Sequence, residues 1–148
     1  MEIGTENRSD LEKINYDLYT EKKPGVEEWL REAKEAENSG RIGMFLLHNG
    51  VVREDARALV REGEKDKAPV RGMLFDYDKE KADKALKDTL SLPGVYLVKL
   101  WLNKGRLKVG EDIMYVLVGG DIRPHVIEAL EYLVDKIKKE CVVEKELY

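Results

Sequence analysis

The chain has 148 residues, of which 43% are hydrophobic and 38% charged, with a formal net charge of −4 at pH 7. This length fits one domain with its own core, and the composition is that of a soluble globular protein. A nucleic-acid-binding protein would carry a strong basic excess, so we expect no nucleic-acid partner. The polar start lacks an apolar segment and no later run is long enough to span a bilayer, which predicts a cytoplasmic protein with no membrane contact.

The first element in chain order is a polar N-terminal extension, residues 1–24, which ends at the breaker pair Pro24-Gly25. Residues 25–148 are predicted to form a single domain. A helix is predicted over residues 26–37, because apolar residues recur there at helical spacing and Asn38-Ser39-Gly40 supplies a stop.

Two strands follow in the middle of the chain. A short apolar run at residues 42–47 predicts a buried strand, which continues at residues 51–53 after a bend or bulge. The charged segment 54–66 has a small apolar centre at residues 58–60, and its residues 62–66 predict a turn that links it to a strand over residues 70–77. Together these patterns indicate a hairpin with an exposed tip.

The second half alternates helices with strands. An amphipathic helix is predicted over residues 79–90, a strand over 95–102, a central strand over 113–118 and a last helix over 124–140. This mixed order predicts an α+β domain with a largely antiparallel sheet and amphipathic helices.

Basic residues stand at both ends of the last helix. Arg123 lies at its start, where free backbone N–H groups and the positive end of the helix dipole attract anions. Lys138 lies near its end, beside the apolar face. On the residues alone, ordinary solvated lysines remain the favoured interpretation. The two residues are fifteen positions apart, or about 22 Å along one helix, so they can serve one small ligand only if Arg123 comes from a neighbouring subunit.

Metal and disulfide chemistry are disfavoured. Cys141 is the single cysteine, which excludes an internal disulfide and a cysteine metal cluster. His48 and His125 lie far apart in sequence and lack the spacing of metal ligands. We therefore expect no metal site and no cofactor.

Several segments resemble the large, catalytic subunit of molybdopterin synthase. Residues 43–53 are similar to that family's strand motif ending in Gly-x-Val-Arg, here Gly50-Val51-Val52-Arg53. Trp29, in a helix before the first strand, also fits. The resemblance covers about residues 26–146, and its specificity lies in the joint spacing of the motifs. The second part of the match runs without a gap through residues 105–111, strand 113–118, Arg123, residues 135–138 and Lys145-Glu146.

This resemblance implies an α/β hammerhead fold and a role in molybdenum cofactor biosynthesis. It implies a homodimer within a heterotetramer, in which a small ubiquitin-like sulfur-carrier subunit docks at each end. The carrier's C-terminal Gly-Gly thiocarboxylate would donate sulfur to cyclic pyranopterin monophosphate, and two rounds would form the molybdopterin dithiolene. By the same resemblance, Arg53 and Arg123 would bind anionic substrate groups, while Lys138 and Lys145 would be catalytic. Fixed cations suit a thiocarboxylate, a cyclic phosphate and developing oxyanions.

Differences from the family pattern keep other interpretations open. Ile122 replaces the histidine that usually precedes Arg123, and residues 54–57 replace an Asn/His-rich loop. A catalytically impaired relative that binds the sulfur carrier as a partner or scaffold is therefore the alternative, and an unrelated small α+β ligand-binding domain is a third possibility. His48 stands where the family has an aromatic residue, which favours a partly buried histidine over a catalytic one. Nearby lysines would lower the pKa of Cys141, to which no role is assigned.

Overall fold

The fold is given by a computed structural model that describes residues 15–20, 22–55 and 69–148. Within these residues, seven strands form a four-stranded and a three-stranded sheet, accompanied by three α-helices. The α+β class is confirmed. The strands are β1 (Tyr16–Tyr19), β2 (Met44–Val51), β3 (Gly72–Tyr77), β4 (Val95–Leu102), β5 (Gly105–Lys108), β6 (Asp112–Gly120) and β7 (Val142–Leu147). The helices are α1 (Val26–Glu35), α2 (Lys79–Leu90) and α3 (Arg123–Lys136).

The larger sheet has the order β1-β4-β6-β2, in which only the β1–β4 pair is parallel. Strands β4 and β6 are buried along almost their whole length, because apolar layers cover both faces of the sheet. One layer contains α2 and α3, and the other contains Trp29 of α1, which is 1% exposed. The predicted central strand is confirmed.

The smaller sheet has the order β5-β3-β7 and is antiparallel throughout. Met73 and Phe75 of β3 are buried, whereas Leu74 between them is 41% exposed. Since successive residues of a strand point to opposite faces, this sheet has one face toward the core and one toward solvent.

The helices lie at the predicted positions, but two of them end early, and α1 ends at Glu35 instead of residue 37. Helix α2 matches residues 79–90, and the carboxylate of Asp78 caps it by accepting a hydrogen bond from the Lys81 backbone N–H at 3.0 Å. Helix α3 ends at Lys136 instead of residue 140, because a π-helical turn, Ile137–Cys141, follows it. That turn keeps Ile137 and Cys141 buried. In the described residues, no helix is long and apolar enough to cross a membrane.

The two ends of the described chain form strands that the sequence did not predict. β1 lies inside the predicted N-terminal extension and pairs with β4, and β7 follows the π turn and pairs with β3. The division of the chain at residue 24 stays a prediction. Strand β2 runs without interruption through Asn49-Gly50, and its register shifts between Gly50 and Val51, where a bend or bulge was predicted. The predicted turn at 62–66 lies outside the described residues.

An ion pair links α1 to strand β4 of the larger sheet, and a hydrogen bond links α1 to β1. The buried Lys99 ammonium lies 3.0 Å from the Glu32 carboxylate, which also accepts a hydrogen bond from the Tyr19 hydroxyl at 3.2 Å. Burial and the neighbouring carboxylate raise the pKa of Tyr19 to about 12, so its hydroxyl stays a donor. The hydrogen bond from Lys99 lowers the pKa of Glu32.

Candidate functional site

A cavity of about 350 Å³ lies where the edge strands β2 and β7 of the two sheets approach each other. This volume suits a small ligand or the end of an extended peptide. We call it the β2–β7 cavity. Its lining comes from both sheets, from the segments that flank β2 and β3, and from the π turn. The lining residues are His48, Gly50, Val51, Arg53, Val70, Met73, Ile113, Met114, Lys138, Glu144 and Glu146.

Two of the four predicted site residues, Arg53 and Lys138, line this cavity together. Arg53 follows the end of β2, where Val52 is buried and the chain leaves the sheet. Its guanidinium Nε donates to the Asp55 carbonyl oxygen at 2.9 Å, which holds the side chain at the cavity rim. Lys138 belongs to the π turn, and the described residues offer its ammonium no hydrogen bond or ion pair. The cavity therefore contains two cationic groups from distant parts of the sequence.

The other two predicted residues lie elsewhere in the subunit. Lys145 pairs with the exposed Leu74 across β7 and β3, so it occupies the strand face opposite to Glu144 and Glu146. Arg123 begins α3, and the 14 residues of that helix separate it from the π turn by about 21 Å. Within one subunit, Arg123 and Lys138 are thus too far apart to hold one small ligand.

The start of α3 differs from a free anion site. The carboxylate of Asp121 accepts a hydrogen bond from the Ile122 backbone N–H at 2.6 Å and lies 2.7 Å from Nδ1 of His125. The bond to His125 lowers the pKa of Asp121, so this carboxylate stays ionised. Ile122 itself is 53% exposed beside Arg123. A carboxylate already occupies part of the helix N-terminus, and the exposed Arg123, which forms no ion pair within the described residues, is available to an external anion.

Two carboxylates in the cavity were not predicted. Glu144 and Glu146 of β7 share a strand face with Phe75 and Met73 of β3, and this face is directed toward the cavity. The sequence did not predict strand β7, and only within a strand do Glu144 and Glu146, separated by one residue, lie on the same face. The lining thus formally balances two cations with two anions.

His48 also lines the cavity. The sequence favoured a partly buried histidine with its hydrogen bonds formed over a catalytic one. It is half-buried on β2, and in the described part of the chain neither ring nitrogen has a hydrogen-bond partner. Burial, and to a smaller extent the nearby Lys138 ammonium, lowers the pKa of His48. The imidazole is therefore neutral at pH 7, with one nitrogen able to accept a proton.

Cys141 contributes nothing to this cavity. Its side chain is buried, and its thiol lies 3.6 Å from the Lys136 carbonyl oxygen. The expected effect of nearby lysines was wrong, because burial outweighs them and raises the pKa of the thiol. In the same described ranges, no group of three or more His, Cys, Asp or Glu side chains could hold a metal ion.

The sequence matches the family described as MoaE protein over residues 19–140. The chain belongs to the MoaE protein family. An uncharacterised protein of Methanocaldococcus jannaschii is 33% identical to it over 101 residues, which are 68% of this chain and 81% of that protein. Family membership supports a role in molybdenum cofactor biosynthesis.

Solved structures in this family share the fold. Molybdopterin synthase from Staphylococcus aureus superposes with a TM-score of 0.66 at 15% identity, covering 92% of both chains. The MoaE protein from Burkholderia ambifaria gives 0.62 at 16% identity, covering 90% of this chain and 88% of its own. A complex of subunits 1 and 2 of molybdopterin-converting factor from Helicobacter pylori gives 0.59 at 16% identity, covering 91% and 89%.

Proposed function

We propose that this chain is the large subunit of a molybdopterin synthase and transfers sulfur from a carrier protein to cyclic pyranopterin monophosphate. The observation that carries the proposal is the convergence of Arg53 and Lys138 on one cavity in a member of the MoaE family. These are two of the residues for which the sequence predicted substrate-binding and catalytic roles.

The cavity chemistry suits this reaction. A C-terminal thiocarboxylate and a cyclic phosphate are both anions, and Arg53 can bind either through a planar pair of N–H donors. Lys138 would stabilise the negative charge that develops as sulfur is transferred. The sulfur comes from the partner in this scheme, which agrees with a buried Cys141 that has no part in the cavity.

The proposed partner is a small ubiquitin-like carrier whose C-terminal Gly-Gly thiocarboxylate enters the cavity. The Helicobacter pylori structure is a complex of two subunits, which supports a second subunit as partner. We propose a homodimer within a heterotetramer, located in the cytoplasm. Because α3 separates Arg123 from Lys138, Arg123 would reach the cavity of the neighbouring subunit across a two-fold axis.

A catalytically impaired carrier-binding protein is the second candidate. It is favoured by the exposed apolar side chain of Ile122 beside Arg123, since an isoleucine can neither transfer a proton nor donate a hydrogen bond. The outward position of Lys145 on β7 points the same way. In this case the carrier would bind without turnover, and the four basic residues would serve docking alone.

A product assay separates the two candidates. Purified protein is mixed with thiocarboxylated carrier and cyclic pyranopterin monophosphate, and the dithiolene product is quantified. Turnover is expected, and Lys138→Ala should lower it by at least about 10²-fold, the usual scale for loss of a group that stabilises transition-state charge. Lys139→Ala is the matched control, because Lys139 is the exposed next residue and does not line the cavity. Carrier binding without product would reject the synthase and support the impaired relative.

A further inference from the structure

The imidazole of His48 lines the β2–β7 cavity, and the proposed reaction has so far given it no role. It lies on the inward face of β2, two residues before Gly50, which also lines the cavity. A side chain at position 50 would meet Met114 at 3.2 Å and His48 Nε2 at 3.9 Å. The absence of a side chain at Gly50 therefore leaves Nε2 open toward the cavity.

The surroundings of His48 are charged on several sides. Lys138 faces it from the π turn and Arg53 from the end of β2, while Glu144 and Glu146 face the same cavity from β7. Strand β6 contributes only apolar residues to the lining. An imidazole that is half-buried among these groups, with no hydrogen-bond partner in the described residues, is placed to act on a bound ligand or water.

We propose that His48 is the general base for hydrolysis of the thioester that links carrier and substrate during sulfur transfer. This role rests on the proposed function. When the thiocarboxylate sulfur bonds to a substrate carbon, the carrier becomes joined to the substrate through an acyl–sulfur bond. That bond must be cleaved by water before the carrier can leave.

The hydrolysis is balanced with water as the only co-reactant. Its oxygen bonds to the acyl carbon of the carrier's last glycine while one of its protons passes to the His48 imidazole. The carbon–sulfur bond then breaks with its electron pair on sulfur, which takes the proton back from the imidazolium. The products are a carrier carboxylic acid and a substrate thiol, so nothing is oxidised or reduced. Lys138 and Arg53 can stabilise the negative charge that forms on the acyl oxygen when water adds to the acyl carbon.

The protonation state of His48 agrees with this role. A general base works when it is unprotonated at the working pH, and burial together with Lys138 keeps the pKa of His48 below its usual value. Hydrolysis should be fast where the imidazole is neutral and should slow as the pH falls through its pKa.

Single-turnover mixing of the full-length protein with thiocarboxylated carrier and cyclic pyranopterin monophosphate tests the role. Intact-mass spectrometry follows the carrier–substrate thioester and the released carrier across a range of pH. In His48→Phe and His48→Gln, thioester formation should persist, hydrolysis should slow by about 10²–10⁴-fold, and the acidic limb of its pH profile should disappear. Leu47→Ala, on the opposite face of β2, is the control and should behave as the native chain.

Circular dichroism first establishes that both variants fold; the glutamine variant keeps a polar side chain in case phenylalanine disturbs the cavity. Native-like hydrolysis with an unchanged pH profile in the folded variants would overturn the role of His48 alone. Equal slowing of thioester formation and hydrolysis would also overturn it, since His48 would then only bind ligand. If the native protein forms neither thioester nor product, the proposed function fails and the role of His48 fails with it.

Discussion

Mixed dimers of Arg123→Ala and Lys138→Ala subunits test whether the two ends of α3 serve different pockets. Within one subunit, the 14-residue helix is about 21 Å long and separates Arg123, at its start, from Lys138, which lies beyond its end. A pocket that needs both must therefore take Lys138 from one subunit and Arg123 from the other. Each variant alone should be inactive in the product assay, since both of its pockets lack one of the two cations.

The fraction of native activity that mixing should restore can be calculated. Random re-association of equal amounts makes about half of the dimers mixed, and each mixed dimer has one complete pocket and one that lacks both cations. Activity should therefore return to about one quarter of the native value, and it should rise toward one half if purification enriches mixed dimers.

The outcome depends on where Arg123 acts. If Arg123 and Lys138 served one pocket of the same subunit, every pocket in a mixed dimer would lack one of them and no activity would return. A zero recovery, with mixed dimers demonstrated by differential tagging, would therefore refute the shared pocket. A mixture of Arg123→Ala with Arg123→Ala carrying the second tag is the matched control and should stay inactive.

The remaining predictions concern stability, measured as the free energy of unfolding in urea. Gly94→Ala should lower the free energy of unfolding by about 3 kcal/mol, because Gly94 has φ of 76° and an added Cβ would collide with Asp121 and His125 at the start of α3. Gly110→Ala is the control, since Gly110 has φ of 89° but open space around it. It should lower the free energy of unfolding by only about 1–2 kcal/mol, through backbone strain alone. Equal costs would contradict the packing at Gly94. Glu32→Gln should cost about 1 kcal/mol at pH 7, a value reduced for its exposure, because Lys99 loses its charged partner. Since the pKa of Glu32 is lowered by folding, this stabilisation is present above the unfolded pKa and is lost as the pH falls through the folded one, so the variant and the native chain should converge in acid. Glu35→Gln, at an exposed position of the same helix, is the control, and a difference that persists in acid would contradict the assignment.

Elements with strong local signals were predictable from sequence. The predicted helix 79–90 and strand 95–102 have the observed bounds, because a capping aspartate and a Pro-Gly turn mark their ends. β1 and β7 were missed because each is short and pairs with a distant partner, β4 or β3. Their strand state depends on an open sheet edge, which local sequence does not encode. The end of α3 was misplaced because the apolar pattern continues smoothly into the π turn.

The candidate site was predictable only where a family spacing identified it. Arg53 and Lys138 lie 85 positions apart (138 − 53), and nothing local in either segment indicates that they share a cavity. The contributions of Glu144 and His48 depended on the approach of two sheet edges, a tertiary feature. The outward position of Lys145, opposite Leu74, likewise could not be predicted before β7 was known, because it follows from the alternation of side chains along that strand.

The charges of the β2–β7 cavity explain why the proposed anionic substrates would need a pocket shared between two subunits. Arg53 and Lys138 are formally balanced by Glu144 and Glu146, so one subunit offers little net attraction for a phosphate or a thiocarboxylate. The carboxylates would instead accept hydrogen bonds from N–H donors of a heterocycle, and the cations would contact its phosphate. Binding two anions at once, a carrier tail and a cyclic phosphate, would need a further positive charge. The neighbour's Arg123 would supply it, so a pocket completed across the two-fold axis would be net positive whereas an isolated subunit is not.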